Sequence, residues 1–140
     1  MKVIIQKCLS SKVMVNNDIV GSINKGLMIL VGFTKNDDFI VVDNVINKII
    51  NLRIFDNMDK SIIDINGSIL SVSQFTLYAN VLKGRRPSFS NCLDRKKSNI
   101  LYDYFNDNLA KFVNVSKGIF GADMQVSLIN DGPCTIIIEK

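Results

Sequence analysis

The 140-residue sequence contains no histidine and no tryptophan, a single glutamate (Glu139), two prolines (Pro87 and Pro133) and three cysteines (Cys8, Cys92 and Cys134). Without imidazole there can be no Ser-His-Asp or Cys-His nucleophile, no histidine general base near neutral pH and no His-ligated metal. The cysteines are odd in number, far apart and without a C-x-x-C pair. That supports neither a disulfide framework nor a zinc site, and reduced thiols are expected. The longest apolar run, Leu27 to Phe33, falls well short of the ~20 residues that span a bilayer, and Lys7 interrupts any signal-like start. These shortages predict a soluble, cytoplasmic protein with no metal, no cofactor and no membrane partner. No repeat, low-complexity tract or linker divides the chain, so one domain over residues 1–140 is expected.

What is present is a 47% hydrophobic chain, long enough to bury about two-thirds of its unfolded surface in one core. The net charge of +4 is modest but unevenly placed. Between Lys83 and Lys97 six basic residues (Lys83, Arg85, Arg86, Arg95, Lys96, Lys97) face one acid, Asp94, a local excess of five, so the remaining 125 residues sum to −1. Arginine occurs only four times in the chain, and the Arg85-Arg86 pair therefore stands out against a lysine-rich background.

Strand patterns cover Met1 to Leu9, then Val13 to Val15 and Ile19 to Ile23 about an Asn16-Asn17-Asp18 turn, then Leu27 to Phe33. Asn36-Asp37-Asp38 supply cap-type side chains before a helix whose apolar face is Val42, Val45, Ile46, Ile49 and Leu52. Strand signals resume at Arg53 to Phe55, at Ile62 to Ile65 and from Ser68 to Tyr78. A second helix is predicted from Lys97 to Phe112, with Leu101, Tyr104, Phe105, Leu109 and Phe112 on one face. Met124 to Ile129 and Cys134 to Glu139 read as two final strands separated by Asn130-Asp131-Gly132-Pro133. The sum is an α/β domain with largely antiparallel strands and two main helices on one face.

Three segments could carry chemistry. In Ser73-Gln74-Phe75-Thr76-Leu77, strand alternation places Gln74 and Thr76 on one face; the plain reading is a polar strand edge, and a hydroxyl without a base beside it is a poor nucleophile. Lys83-Gly84-Arg85-Arg86-Pro87-Ser88-Phe89 is either a solvated charge run or a loop whose guanidinium groups fork onto phosphate oxygens beside an aromatic ring. Arg95, Lys96 and Lys97 lie near a helix start, where cations oppose the helix dipole and an anionic partner would relieve the conflict. In Asn130-Asp131-Gly132-Pro133-Cys134-Thr135 the plain reading is a tight turn, although an X-Pro bond is the one place where a cis peptide is cheap.

Taken in order, Ser73-Gln74-Phe75-Thr76-Leu77, Arg86-Pro87-Ser88-Phe89 and Asn130-Asp131-Gly132-Pro133-Cys134-Thr135 resemble the motifs of the D-aminoacyl-tRNA deacylases, the D-tyrosyl-tRNA(Tyr) deacylase family. Gly26 to Gly32, Arg53-Ile54-Phe55, Leu101 to Phe105 and Gly121 to Val126 resemble further family segments in the same order. The resemblance implies a homodimeric editing hydrolase, its strands forming a barrel-like pair of packed sheets. Its partner would be the aminoacylated 3′ end of tRNA, not DNA, and its substrates D-aminoacyl-tRNA and glycyl-tRNA(Ala). It implies that Ser73, Gln74, Phe75 and Thr76 surround the ester. Gly132 and Pro133 would enter from the other subunit with a cis peptide and exclude an L side chain. Phe120 and Met124 would hold the adenine, and Arg85, Arg86, Pro87, Ser88 and Phe89 would contact the RNA. Cys134 departs from the family's usual β-branched apolar residue and is expected to pack as a small apolar group.

The implied mechanism uses the ribose 2′-hydroxyl of the substrate to help activate water, which agrees with the absence of histidine: positioning alone supplies ~7 to 11 kcal/mol of a barrier. Two alternatives remain at this level, an esterase with Thr76 as nucleophile and a non-catalytic RNA-binding module.

Overall fold

Asn16 and Asn17 adopt φ of 51° and 70°, the left-handed pair that a two-residue hairpin turn requires and asparagine tolerates. They fold β1 (Lys2–Val15) onto β2 (Asp18–Ile23) in the computed structural model, which describes residues Met1–Lys140. The chain continues through β3 (Gly26–Gly32), α1 (Phe39–Asn51), β4 (Ser68–Ser73), a 3-10 turn (Phe75–Tyr78), α2 (Arg95–Leu109), β5 (Asn114–Lys117) and β6 (Gln125–Glu139).

β1 organises the sheet. β6 runs antiparallel along it from Lys2 opposite Glu139 to Met14 opposite Gln125, while β3 takes Lys2 to Cys8 and β2 takes Ser11 to Val15 on the other edge. The antiparallel expectation holds for these three pairings. β4 instead joins β3 in parallel, and β5 joins β4 in parallel, because α1 and α2 serve as the crossovers that parallel pairing needs. The Ser116 hydroxyl donates to the Ser22 carbonyl at 2.9 Å and draws β5 toward β2, so the sheet curls into a nearly closed barrel.

Both faces of the central strands are covered. Leu27, Ile29 and Val31 face a core of 20 buried residues shared with α1 and α2, whereas Met28 joins Cys8, Val13, Ile23, Leu70 and Val72 inside the barrel. A strand buried on two sides needs apolar residues at every position, which explains the unbroken run in β3.

The helices keep their predicted faces with shifted ends. Asp38 caps α1 by accepting the Val41 N–H at 2.9 Å; Ile50 is buried with Val42, Val45, Ile46 and Ile49, and Leu52 lies just past the helix end. α2 starts two residues earlier than predicted because Asp94 caps it, and stops at Leu109, leaving Phe112 exposed. Tyr102 and Asn106, not Tyr104, turn inward; Tyr104 instead bonds Asp43 on α1. No helix is long and apolar enough to cross a membrane.

Several strand predictions need correction. Met1 to Leu9 and Val13 to Val15 are one strand. Arg53 to Phe55 and Ile62 to Ile65 form no strand: Asp56, Asn57 and Met58 all take positive φ, and Ile54, Phe55 and Ile62 are apolar because they are buried. The strand from Ser68 ends at Ser73. Finally, Met124 to Ile129 and Cys134 to Glu139 are not separated by a turn. β6 is continuous, and because Gln6 pairs with Thr135 and Cys8 with Asn130, residues 131–134 bulge out opposite Lys7 alone. The Gly132-Pro133 peptide at the tip is cis. Asn130 ties the base of the bulge, its Oδ1 accepting the Cys134 N–H at 3.3 Å and its Nδ2 donating to Thr135 Oγ1 at 3.1 Å. Lys7 pairs with Asp131 at 3.4 Å.

Candidate active site

The ends of β3 and β4 lie side by side, Val31 opposite Ser73, and the Gln74 N–H donates to the Val31 carbonyl at 2.7 Å. The close approach depends on Gly32, where a Cβ would fall 2.7 Å from the Gln74 carbonyl oxygen. Beyond Gln74 the backbone leaves the ladder and tightens into the 3-10 turn. Its first internal bond runs from the Leu77 N–H to the Gln74 carbonyl at 3.3 Å, which leaves the Phe75 and Thr76 N–H groups without an acceptor inside the turn. The turn also cancels the strand alternation expected for these residues. Gln74 and Thr76 still meet, through an Nε2 to Oγ1 hydrogen bond of 2.5 Å.

Beside this strand end lies a cavity of about 570 Å³, walled on one side by Ser73, Gln74 and Phe75 and on the other by Phe120 to Met124. That volume falls in the range of small-molecule sites. Thr76 is exposed at the rim rather than in the lining. The Phe75 ring, 57% exposed, packs on Phe89 with centroids 4.9 Å apart. Cys92 donates its thiol to the Phe75 carbonyl at 3.3 Å, and burial raises its pKa, so it stays protonated at neutral pH and is no nucleophile.

The structure thus brings Ser73, Gln74 and Phe75 together with Phe120 and Met124, and sets Thr76 and Phe89 at the entrance. The loop from Asn80 to Ser88 is closed by reciprocal backbone bonds of 2.8 and 2.9 Å, and Arg85, Arg86 and Pro87 ride exposed on it, outside the cavity lining. Ser88 bonds Ser90 on the same outer surface. Gly132 and Pro133 are exposed and do not line the cavity of their own chain.

Among the lining residues that sequence reasoning passed over as parts of the cavity, four carry polar or ionisable side chains: Arg95, Ser98, Cys92 and Asp123. Arg95 lies against Gly121, where a Cβ would sit 2.5 Å from its Nη2, and it also borders a shallow basin with Lys96, Asn99 and Phe120. Its signal was the local charge excess. Asp123 is the one carboxylate in the lining and had no motif to mark it. No three Cys, Asp or Glu side chains are grouped as a metal site needs.

A two-helix, nearly closed barrel is also the fold of a solved structure described as a probable eukaryotic D-amino acid tRNA deacylase (TM-score 0.85, 19% identity, 98% of this chain and 97% of that one). A second solved structure, named c-Myc DNA unwinding element binding protein, is 34% identical over 100% of this chain and 99% of its own, with a TM-score of 0.94. The family match, over nearly the whole chain, defines the class as a deacylase, a hydrolase acting on tRNA. Over residues 4–139 the chain matches the D-Tyr-tRNA(Tyr) deacylase family, and it belongs to that family.

Proposed function

We propose that the protein hydrolyses the ester joining a D-amino acid, or glycine on tRNA(Ala), to the terminal adenosine of tRNA, in the cytoplasm and as a homodimer. The observation that carries this reading is the cavity with two unlike walls: an apolar one of Phe120 and Met124, suited to a base, and a polar one of Ser73 and Gln74, suited to an ester, with Thr76 on its rim. The free N–H groups of Phe75 and Thr76 are donors for the oxyanion, each such donor being worth ~2.7 to 4 kcal/mol.

The ribose 2′-hydroxyl assists the attacking water. Thr76 as nucleophile ranks lower, because its oxygen accepts from an amide nitrogen, which cannot take a proton from it. L-aminoacyl-tRNA is rejected by the Gly132-Pro133 tip of the second subunit. A steric filter of this kind ignores which D side chain is present and admits glycine.

Incubation with D-tyrosyl-tRNA and L-tyrosyl-tRNA tests the proposal. Loss of the D ester with survival of the L ester is expected; turnover of neither refutes it. A second reading, binding to duplex DNA, rests on the name of the 34% identical relative and on the basic stretch from Lys83 to Lys97. Competition between uncharged tRNA and duplex DNA separates it: the first reading expects tRNA to win.

A further inference from the structure

Ser71 is fully buried, two residues before Ser73 on β4. Its carbonyl accepts two hydrogen bonds, one from the Tyr102 hydroxyl at 2.9 Å and one from the Gly118 N–H at 2.9 Å. The two donors lead to different places. Gly118 stands two residues before Phe120 and lies so near Met124 that a Cβ would come within 2.6 Å of its sulfur. Tyr102, 1% exposed on the inner face of α2, sets its ring against Phe120 with centroids 5.7 Å apart. The Ser71 hydroxyl donates back to the Tyr102 oxygen at 3.4 Å.

A phenylalanine would fill the same space in this apolar surrounding. A buried hydroxyl is tolerated because it is paired; here the bond it donates and the bond it accepts both lie on Ser71, with the Asn106 side chain and the Ser73 backbone also beside it. The same tyrosine therefore touches both cavity walls, the polar wall through β4 and the apolar wall through Phe120.

We infer that Tyr102 is a positioning residue, which fixes the separation of the wall at Ser73 to Phe75 from the wall at Phe120 and Met124 through the Ser71 carbonyl. What the two walls hold rests on the deacylase reading; that Tyr102 couples them does not. In a reaction with no protein base, rate depends on how the ester is placed relative to the ribose that supplies the hydroxyl, and misplacement by about 1 Å costs on the order of a hundredfold. Loosening the walls therefore acts on kcat more than on KM, since each wall keeps its own grip on its part of the substrate.

The test is Tyr102→Phe, which keeps the ring and removes the hydroxyl. With D-tyrosyl-tRNA, a fall in kcat of about tenfold or more with KM within about twofold is expected; an unchanged kcat, or a loss confined to KM, overturns the inference. A second readout needs no substrate. In ligand-free protein labelled at the methionine methyl, Met124 is expected to give one sharp NMR signal in the wild type and a split or broadened one in the variant, and identical spectra overturn the coupling. If the wild type cleaves no aminoacyl-tRNA, the deacylase reading fails and the methyl spectra alone decide the inference. Should the variant not fold, hydrogen exchange on the wild type decides it: the Gly118 amide must exchange as slowly as the β4 amides, and fast exchange there refutes the coupling.

Discussion

Thr76 is built as an acceptor at the rim of the cavity, and single substitutions around it separate the chemical roles. Thr76→Ala is expected to lower the single-turnover rate on D-tyrosyl-tRNA by about tenfold to a hundredfold without abolishing it, since backbone donors remain. A substrate ending in 2′-deoxyadenosine should lose more. Asp123→Asn is expected to change the rate by less than about threefold; a loss of a hundredfold or more, the scale of general-base catalysis, would move the base from the RNA to this carboxylate. Gly132 takes φ of 120°, a region closed to L side chains, so Gly132→Ala should cost about 1 to 3 kcal/mol. The measurement is a thermal melt, which should show the midpoint falling by several degrees, together with a D/L assay in which L-ester cleavage appears.

Among the elements, those with one strong period were readable and those set by their neighbours were not. α1 was legible from its capping aspartates and its i, i+3, i+4 face. β6 was split in two because a glycine-proline step between apolar strands normally signals a turn; only pairing with β1 on both sides of Lys7 makes it a bulge. The 3-10 turn was hidden because Phe75 and Leu77 continue the strand alternation, whereas the Leu77 N–H turns back to the Gln74 carbonyl instead of to a neighbouring strand. The start of α2 was misplaced for a reason that can be tested. Asp94 accepts the Lys96 and Lys97 N–H groups at 3.0 and 3.2 Å, an anionic cap facing three successive cations. Asp94→Ala should cost about 1 kcal/mol and speed hydrogen exchange in the first turn of α2, while exchange in α1 stays unchanged.

At the scale of the molecule, the site assembles residues from distant stretches of chain: the end of β4, the first turn of α2 and the segment before β6. Ser73, Gln74, Phe75, Phe120 and Met124 were marked through the family resemblance, and the structure brings them to one cavity. Arg95 was legible only as charge, because its place in the cavity depends on α2 meeting Gly121 across the fold. The charge excess makes its own prediction for RNA binding. KM for aminoacyl-tRNA should rise with salt, and each phosphate deprived of its cationic partner should reduce the log-log slope by about 0.7. Arg95→Ala is expected to remove about one such pairing and also to slow the reaction, whereas the Arg85→Ala, Arg86→Ala pair should flatten the slope with little change in kcat.

The bulge in β6 has one more effect. β6 is a 15-residue strand paired only with β1, so its far side offers a long row of backbone donors and acceptors. Uninterrupted strand edges of that length are templates for indiscriminate pairing between chains. Here the row is cut near its middle: residues 131–134 swing out of register, and Pro133 contributes no N–H. A pairing strand can therefore follow either half but not the whole edge, which blunts this border as a template.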